Sequence, residues 1–229
     1  MPFTAWGTRE IIASGGLFIF LSVVLHIVAR ATGLYAIQWL ILPLLIILCW
    51  VLWFFRDPNR TIPVEEGVIV SPADGTVTHL DMADEPDYIG ANANRCSIFL
   101  SIFDVHLNRA PTAGVVDFVK HRPGEFFDAR LEESLTKNEN QDIGLKTTEA
   151  GMPEKVLVRQ STGAIARRIV CPVTVGQALG RGECYGMIKF GSRTTLFMSQ
   201  DREIEWCVSV GDKVKAGETV LAKIKNNAK

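Results

Sequence analysis

The 229-residue chain has almost no net charge and no clustered basic segment. Its 24 Lys and Arg residues nearly balance 25 Asp and Glu residues, which leaves a formal net charge of −1. Nucleic-acid-binding domains usually carry a basic face or stripe, whereas the cations here are scattered along the sequence. The composition therefore gives no reason to expect a nucleic-acid partner.

Cysteine is scarce and shows no pairing pattern. The five cysteines are odd in number, and none of them is spaced as a CxxC or metal-ligand pair. This distribution argues against a disulfide framework and against a metal site. It is typical of free thiols in a reducing compartment.

Full charges are missing altogether from two long segments near the N-terminus. Residues 11–28 and 34–55 are apolar, and a five-residue turn-forming stretch, "ARATG", separates them. Each is close to the roughly 20 residues that a helix needs to cross a bilayer core. We therefore predict a transmembrane helical hairpin over residues 1–56. Two buried helices of a soluble core are the alternative; a secretory signal fits poorly, because no basic region precedes the first segment.

The arginines that flank these segments predict an orientation. Arg9, Arg56 and Arg60 lie on the side of the two hairpin ends, beyond the apolar segments, and Arg30 lies in the connecting turn. Basic residues accumulate on the cytoplasmic side of a membrane. We expect the hairpin in the cell (inner) membrane, with the catalytic part facing the cytoplasm.

The pattern changes after a polar, proline-bearing linker at residues 57–66. From residue 67 to residue 229, short β-type runs alternate with Gly, Pro and Asp, which predicts a mainly antiparallel β domain. Residues 126–138 are compatible with either a helix or a surface loop.

Two segments of this domain echo each other. "GVIVSPADGTV" (67–77) and "VSVGDKVKAGETVLAKI" (208–224) resemble the two halves of a biotinyl/lipoyl-type barrel-sandwich. The fold class we predict is mainly β (α+β): a barrel-sandwich, lipoyl-like β domain preceded by the transmembrane helical hairpin. A membrane-tethered carrier or adaptor is one functional alternative, although neither half shows the modifiable lysine tip of a carrier domain.

Few polar residues have catalytic potential on pattern alone. In "SIFDVHLNRAPTAG" (101–114), alternation places Asp104, His106 and Asn108 on one face if the strand continues that far. Histidine is the usual proton carrier at neutral pH, but a strand-end histidine is equally compatible with a structural role. Gly191-Ser192, between two strand-like runs, has the pattern of an ordinary turn.

An ordered set of motifs changes this interpretation. "FRDPNR", "SPADG", "FDVHLNRAP", "ARRIV" and "GMIKFGSR" follow one another behind a hydrophobic N-terminus. In this order they resemble the phosphatidylserine decarboxylase proenzyme family, in its short A-type branch. The resemblance covers nearly the whole chain.

The resemblance implies that the chain is a zymogen that cleaves itself between Gly191 and Ser192. In such serinolysis the serine hydroxyl attacks the preceding carbonyl, and the amide becomes an ester. β-Elimination then frees a β chain, 1–191, and leaves dehydroalanine on an α chain, 192–229, which hydrolyses to a pyruvoyl group. The two chains are expected to stay together as a heterodimer.

The implied cofactor is this pyruvoyl group derived from Ser192, with neither pyridoxal phosphate nor a metal. Its keto carbon is expected to form a Schiff base with the amine of phosphatidylserine and to accept electrons as CO2 leaves. The implied partners are the membrane and its phospholipid, and the implied product is phosphatidylethanolamine. Archaetidylserine decarboxylase, which acts on ether lipids with the same headgroup, is an alternative within the enzymes.

The resemblance also assigns roles to single residues. Asp74 matches the acidic member of an Asp-His-Ser processing set, and His106 matches the first histidine of a His-x-x-His motif associated with decarboxylation. Arg109 occupies the place of the second histidine, so the base for self-cleavage is open. Our hypothesis is that His106, oriented by Asp74, serves both steps, and that Arg109 binds the phosphate or carboxylate of the substrate.

Overall fold

A computed structural model of the chain describes residues 2–131, 133–164, 168–189 and 191–225. The chain divides into two compact units, Met1–Asn59 and Arg60–Lys229. The first unit is helical and the second consists mainly of β-strands. This confirms the predicted fold class of a β-rich domain preceded by a helical hairpin.

The first unit contains helices α1 (Thr8–Thr32) and α2 (Ile41–Phe54), with 3-10 helices at Ala5–Gly7 and Tyr35–Leu40. Gly33 ends α1 with a φ of 71°, a left-handed conformation that glycine adopts at low cost. Two continuous spans, Ala5–Thr32 and Tyr35–Phe54, are long and apolar enough to cross a membrane. Almost none of the residues in these spans is fully buried within the protein, which fits membrane association better than a role as core helices.

Two polar side chains within these spans bind each other. The Gln38 amide nitrogen donates to Nδ1 of His26 across 3.2 Å. Polar groups in an apolar environment are stabilised by such mutual hydrogen bonds. The pair therefore has a packing role.

The second unit contains fourteen strands and one short helix among the described residues. The strands are β1 (Val68–Val70), β2 (Gly75–Glu85), β3 (Ala91–Leu100), β4 (Leu107–Arg109), β5 (Gly114–Arg122), β6 (Asn140–Thr147), β7 (Lys155–Ser161), β8 (Arg168–Val170), β9 (Ala178–Leu179), β10 (Cys184–Lys189), β11 (Ser192–Met198), β12 (Ile204–Trp206), β13 (Lys213–Val214) and β14 (Val220–Ile224). The helix, α3 (Ser134–Lys137), lies within the segment 126–138 that was compatible with a helix or a loop. That segment is therefore mostly loop.

The strands form three antiparallel sheets. The largest has the order β13-β2-β3-β11-β7-β6-β5-β9, and the two smaller ones have the orders β1-β14-β12 and β4-β10-β8. One continuous apolar core includes Ile69, Ile98, Leu145 and Leu196, all of which are fully buried. Strand β11, which begins at Ser192, lies in the middle of the largest sheet.

The two segments that echo each other in the sequence pair directly in the fold. Strand β1 pairs with β14, where Ile69 faces Ala222, and β2 pairs with β13, where Thr76 faces Lys213. Each segment thus contributes one strand to each of two sheets. This exchange is the arrangement predicted from their barrel-sandwich resemblance.

Candidate active site

The link between Gly191 and Ser192 lies where the chain passes from one sheet to another. Strand β10 pairs with β4 and β8, whereas β11 pairs with β3 and β7. The Gly-Ser pair therefore does not close a hairpin between pairing strands, as its sequence pattern alone suggests. Gly191 has a φ of +62°, which lies in the left-handed region that residues with a Cβ rarely occupy.

Ser192 is fully buried at the start of β11, opposite Leu100 of β3. Its hydroxyl oxygen has no hydrogen-bond partner among the described residues. Leaving a buried hydroxyl unsatisfied costs about 1–3 kcal/mol, and buried polar groups in native proteins are nearly always paired. An orphaned buried hydroxyl beside a left-handed glycine indicates a functional group.

His106 connects this link to the neighbouring strand. The ring is fully buried, its Nδ1 lies 3.0 Å from the carbonyl oxygen of Asp104, and the Gly191 N–H donates to its Nε2 across 3.1 Å. A carbonyl oxygen only accepts, so Nδ1 carries the proton and Nε2 presents its lone pair to Gly191. The neutral tautomer thus directs a basic nitrogen at the residue that precedes Ser192.

A turn before β4 positions this histidine. Strand β3 ends at Leu100, the Asp104 N–H donates to the Ser101 carbonyl at 2.9 Å, and the Asp104 carboxylate accepts from the Ser101 N–H at 2.8 Å. The strand does not continue through residues 101–106, so alternation does not place Asp104, His106 and Asn108 on one face. Instead, the turn places His106 directly before β4 and beside β10. There the His106 carbonyl accepts a hydrogen bond from the Ile188 N–H.

A buried amide network lies next to the histidine. The Asn108 side chain donates to the Thr194 hydroxyl at 2.9 Å and accepts from the Gln160 amide at 2.8 Å. These bonds join β4, β7 and β11, which come from distant parts of the sequence. These buried hydrogen bonds hold β4, β7 and β11 together, although Gln160 Oε1 has no partner among the described residues.

Gly163 makes a close backbone approach to the same link. A Cβ placed on Gly163 would lie 2.5 Å from the Gly191 carbonyl oxygen and 3.2 Å from the Ala129 Cβ. The Gly191 carbonyl therefore occupies space that only glycine leaves open. Sequence reasoning missed this residue, because "STG" offers no signal beyond small side chains.

We expect Gly163→Ala to slow any reaction at the Gly191 carbonyl. The added methyl would displace that carbonyl from its position, and a misplacement of 1 Å at a reacting centre costs about 10²-fold in rate. The measurement is the rate at which the chain breaks at Gly191-Ser192, followed on denaturing gels after cell-free synthesis.

Gly180→Ala is the matched control for this change. A Cβ at Gly180 would meet only Glu183 Oε2, at an ordinary 3.6 Å. Equal cleavage rates for the two variants would show that close approach at Gly163 has no effect on the reaction.

Asp74 lies in a different set of contacts. Its carboxylate accepts two hydrogen bonds from the Arg60 guanidinium, at 2.8 and 2.9 Å, and one from the Ala216 N–H at 2.7 Å. Burial raises the pKa of this carboxyl above its ordinary value, against the opposing effects of Ala216 and Arg60. Arg60, the last residue of the "FRDPNR" motif, thus neutralises a buried acid that the sequence analysis paired with His106.

Arg109 is half-buried, and its Nη1 donates to the Gly182 carbonyl at 3.1 Å. A Cβ on Gly217 would lie 3.1 Å from its Cδ, so the arginine packs against the β13–β14 turn. The structure therefore brings Gly191, Ser192 and His106 together. Asp74 instead binds Arg60 and Ala216, and Arg109 binds the Gly182 carbonyl and packs beside Gly217.

A cavity of about 450 Å³ opens beside Gly191. It is lined by the end of β3 and the turn after it, by the loop at 128–130, and by two single residues: Phe99, Leu100, Ser101, Ile102, Asp128, Ala129, Arg130, Ala164 and Gly191. Its charged lining residues, Asp128 and Arg130, form an ion pair, and the guanidinium lowers the pKa of the Asp128 carboxyl. The cavity is large enough for a small polar group and is bordered by the residue that precedes Ser192.

One acidic cluster elsewhere in the second unit forms salt bridges with two arginines. Oxygens of Glu85, Asp87 and Asp142 lie within 4.8 Å of one another. Arg159 and Arg122 bind Asp142 at 2.8 and 2.6 Å, Arg159 also binds Glu85 at 3.3 Å, and Arg122 also binds Asp87. The acidic charge is thus compensated by side chains, and the cluster has a structural role.

Comparisons with known proteins identify the class. The family profile described as phosphatidylserine decarboxylase matches residues 47–222. The chain is 44% identical over 224 residues to the phosphatidylserine decarboxylase proenzyme of Rhodopirellula baltica, covering 97% of this chain and 88% of that protein. It is 45% identical to the proenzyme of Symbiobacterium thermophilum, covering 76% of this chain and 79% of that protein.

The β domain, which follows an apolar helical hairpin in the sequence, binds a histidine to the glycine before an internal serine, and the comparisons place it in the carboxy-lyase class of enzymes. The chain belongs to the phosphatidylserine decarboxylase family. This confirms the resemblance drawn from the ordered motifs.

Proposed function

We propose that the chain cuts its own Gly191-Ser192 bond, converts Ser192 into a pyruvoyl group, and then decarboxylates phosphatidylserine to phosphatidylethanolamine. The observation that carries this proposal is the buried Ser192 hydroxyl, which has no partner among the described residues although a basic histidine nitrogen lies one residue away. Buried hydroxyls in native proteins are usually hydrogen-bonded, and Ser192 stands out from the other unpaired ones, such as Ser161, because it directly follows a left-handed glycine that binds a histidine.

In the first step the Ser192 Oγ attacks the Gly191 carbonyl carbon. His106 Nε2 releases the Gly191 N–H and takes the proton of the Ser192 hydroxyl. It then passes that proton to the Ser192 nitrogen as the C–N bond breaks. The product is an ester between Gly191 and the Ser192 side chain. The left-handed φ of Gly191 and the close approach of Gly163 support this step, because both allow backbone positions that other residues resist.

In the second step the Cα proton of residue 192 is removed and the Cβ–Oγ bond breaks. Gly191 leaves as a carboxylate, water adds to the dehydroalanine, and ammonia departs. The resulting pyruvoyl group would supply an electron sink for the bonding electrons of the lost carboxyl group. His106 remains beside residue 192, where its Nε2 can return a proton to the substrate Cα.

The pairing of β11 supports a heterodimer of the two chains after the cut. Seven residues of β11 pair with β3 and six pair with β7, and β13 and β14 pair with β2 and β1. Among the described residues 192–225, β11, β13 and β14 thus pair with strands of the 1–191 chain, and β12 pairs with β14. Buried, fully paired strands dissociate only when the domain unfolds.

We further propose that the hairpin holds the enzyme in the cell membrane with the catalytic unit on the cytoplasmic side. The exposed apolar surface of α1 and α2 supports membrane insertion, and the flanking arginines support the orientation. All five cysteines are free thiols, which fits a reducing compartment.

A lipid conversion assay tests the proposed reaction. Purified full-length protein is added to vesicles of phosphatidylcholine with phosphatidylserine, and the headgroups are followed by mass spectrometry. We expect phosphatidylserine to lose CO2 and appear as phosphatidylethanolamine, and Ser192→Ala to give no conversion. A wild-type protein that cleaves itself but leaves the lipid unchanged would contradict the assigned substrate.

A further inference from the structure

Three exposed apolar side chains lie close in the sequence to residues that line the cavity beside Gly191. Phe103 is 63% exposed, Leu131 48% and Phe126 40%. Phe103 and Leu131 directly follow the lining residues Ile102 and Arg130, and Phe126 lies two residues before the lining residue Asp128. We call Phe103, Phe126 and Leu131 the cavity rim.

Exposing the apolar side chains of the cavity rim to water is unfavourable in free energy. Apolar side chains gathered beside a cavity mark an interaction site more often than single, scattered apolar side chains do. Phenylalanine and leucine are the side chains with which interfacial segments enter the boundary between headgroups and acyl chains. Arg130 directly precedes the rim residue Leu131. Its Nε and Nη2 bind Asp128, whereas its Nη1 donates no hydrogen bond among the described residues.

We propose that the cavity rim is a lipid-docking surface that inserts into the interface of a phospholipid bilayer during catalysis. This inference rests on the proposed function, because a diacyl phospholipid keeps its chains in the bilayer and can offer only its headgroup to the enzyme. With the rim at the level of the glycerol backbone, the headgroup enters the cavity toward residue 192. Arg130 then meets the lipid phosphate with its remaining N–H donors.

The charges around the rim indicate how it binds. Asp128 offsets Arg130, and Glu133 is paired with Lys137, so the loop has no excess of positive charge. Binding would come from apolar burial rather than attraction to anionic lipids. We therefore expect the contact to form on zwitterionic vesicles and to persist at high salt.

A quenching experiment tests the contact directly. Full-length Phe103→Trp protein is reconstituted in phosphatidylcholine vesicles whose acyl chains carry bromine, a short-range quencher of tryptophan. Val175→Trp is the matched control, because Val175 is 63% exposed on the same unit and does not line the cavity. The five native tryptophans give the same background in both proteins.

We expect Phe103→Trp to be quenched more strongly than Val175→Trp, by about the same margin at low and high salt. Equal quenching of the two proteins would overturn the proposal. That is the result expected if the rim binds a protein partner instead of lipid. This measurement does not depend on activity, so it decides the docking question even if the lipid assay is negative.

Kinetics provide the second readout. Replacing all three rim residues with serine should raise KM for phosphatidylserine in vesicles about tenfold, which corresponds to about 1.4 kcal/mol. Activity on a short-chain, monomeric phosphatidylserine and the extent of self-cleavage should match those of a Val175→Ser/Val210→Ser control. A rim variant with an unchanged KM on vesicles would refute a role of docking in catalysis, whereas a wild-type protein inactive on both substrates would refute the proposed function.

Discussion

Ser192→Ala protein is expected to stay a single chain of 25.3 kDa, whereas the wild type separates into two chains on a denaturing gel. Alanine has no nucleophile with which to attack the Gly191 carbonyl, so neither the ester nor the pyruvoyl group can form. The loss of decarboxylation should be complete within detection. Folding should be preserved, because the substitution removes a buried hydroxyl that has no partner among the described residues.

Ser199→Ala serves as the control for this experiment. Ser199 follows the far end of β11, and its hydroxyl binds Asp201 and the Lys155 N–H. Its alanine variant should cleave as the wild type does. A two-chain pattern in Ser192→Ala would show that another residue starts the cut.

His106→Gln is expected to slow self-cleavage by about 10²- to 10⁴-fold, the usual contribution of a general base. Glutamine can still accept the hydrogen bond from the Gly191 N–H, but its amide oxygen is not a base at neutral pH. Pulse-labelled protein sampled over hours on denaturing gels gives the rate. Because our hypothesis assigns both steps to His106, decarboxylation per mole of cleaved chain should fall as well.

His79→Gln is the matched control, since His79 is a half-buried strand residue that contacts the Thr78 hydroxyl. We expect it to cleave normally. If His106→Gln cleaved at the wild-type rate, the base would have to be another group, and the dual role would be refuted. Normal cleavage with lost decarboxylation would restrict His106 to the second step.

Local patterns in the sequence were sufficient for the architecture. The two helices follow from uncharged apolar runs of membrane length, and the exchange of β1 and β2 with β14 and β13 follows from the likeness of their two segments. The family follows from several short motifs in a fixed order. Each of these signals is either contiguous in the chain or repeated within it.

The geometry around Ser192 was not accessible in the same way. His106 binds the Gly191 N–H because a turn ends β3 early, and Gly163 approaches the Gly191 carbonyl from a loop that follows β7. Such contacts depend on how three sheets pack, and no spacing along the chain encodes them. For the same reason, the sequence paired Asp74 with His106, whereas the bonds described for Asp74 go to Arg60 and Ala216.

The role of Arg109 in substrate binding was assigned from its position in a motif, and it stays a prediction. Arg109 replaces a histidine of the longer branch, and its charge suggested a substrate contact. In the fold its Nη1 holds the Gly182 carbonyl, while Arg130 lines the cavity beside Gly191. Arg130 therefore carries the anion-binding role in our proposal, and Arg109 keeps a packing contact that the motif did not predict.

The most direct test of the account is the intact mass of the purified wild-type protein. A pyruvoyl group at residue 192 predicts two chains, 1–191 and 192–229, with the smaller one lighter by one ammonia than the peptide that begins with serine. Its N-terminus should also resist stepwise sequencing. A single uncut chain with Ser192 intact, or a small chain that begins with an ordinary serine, would contradict the account.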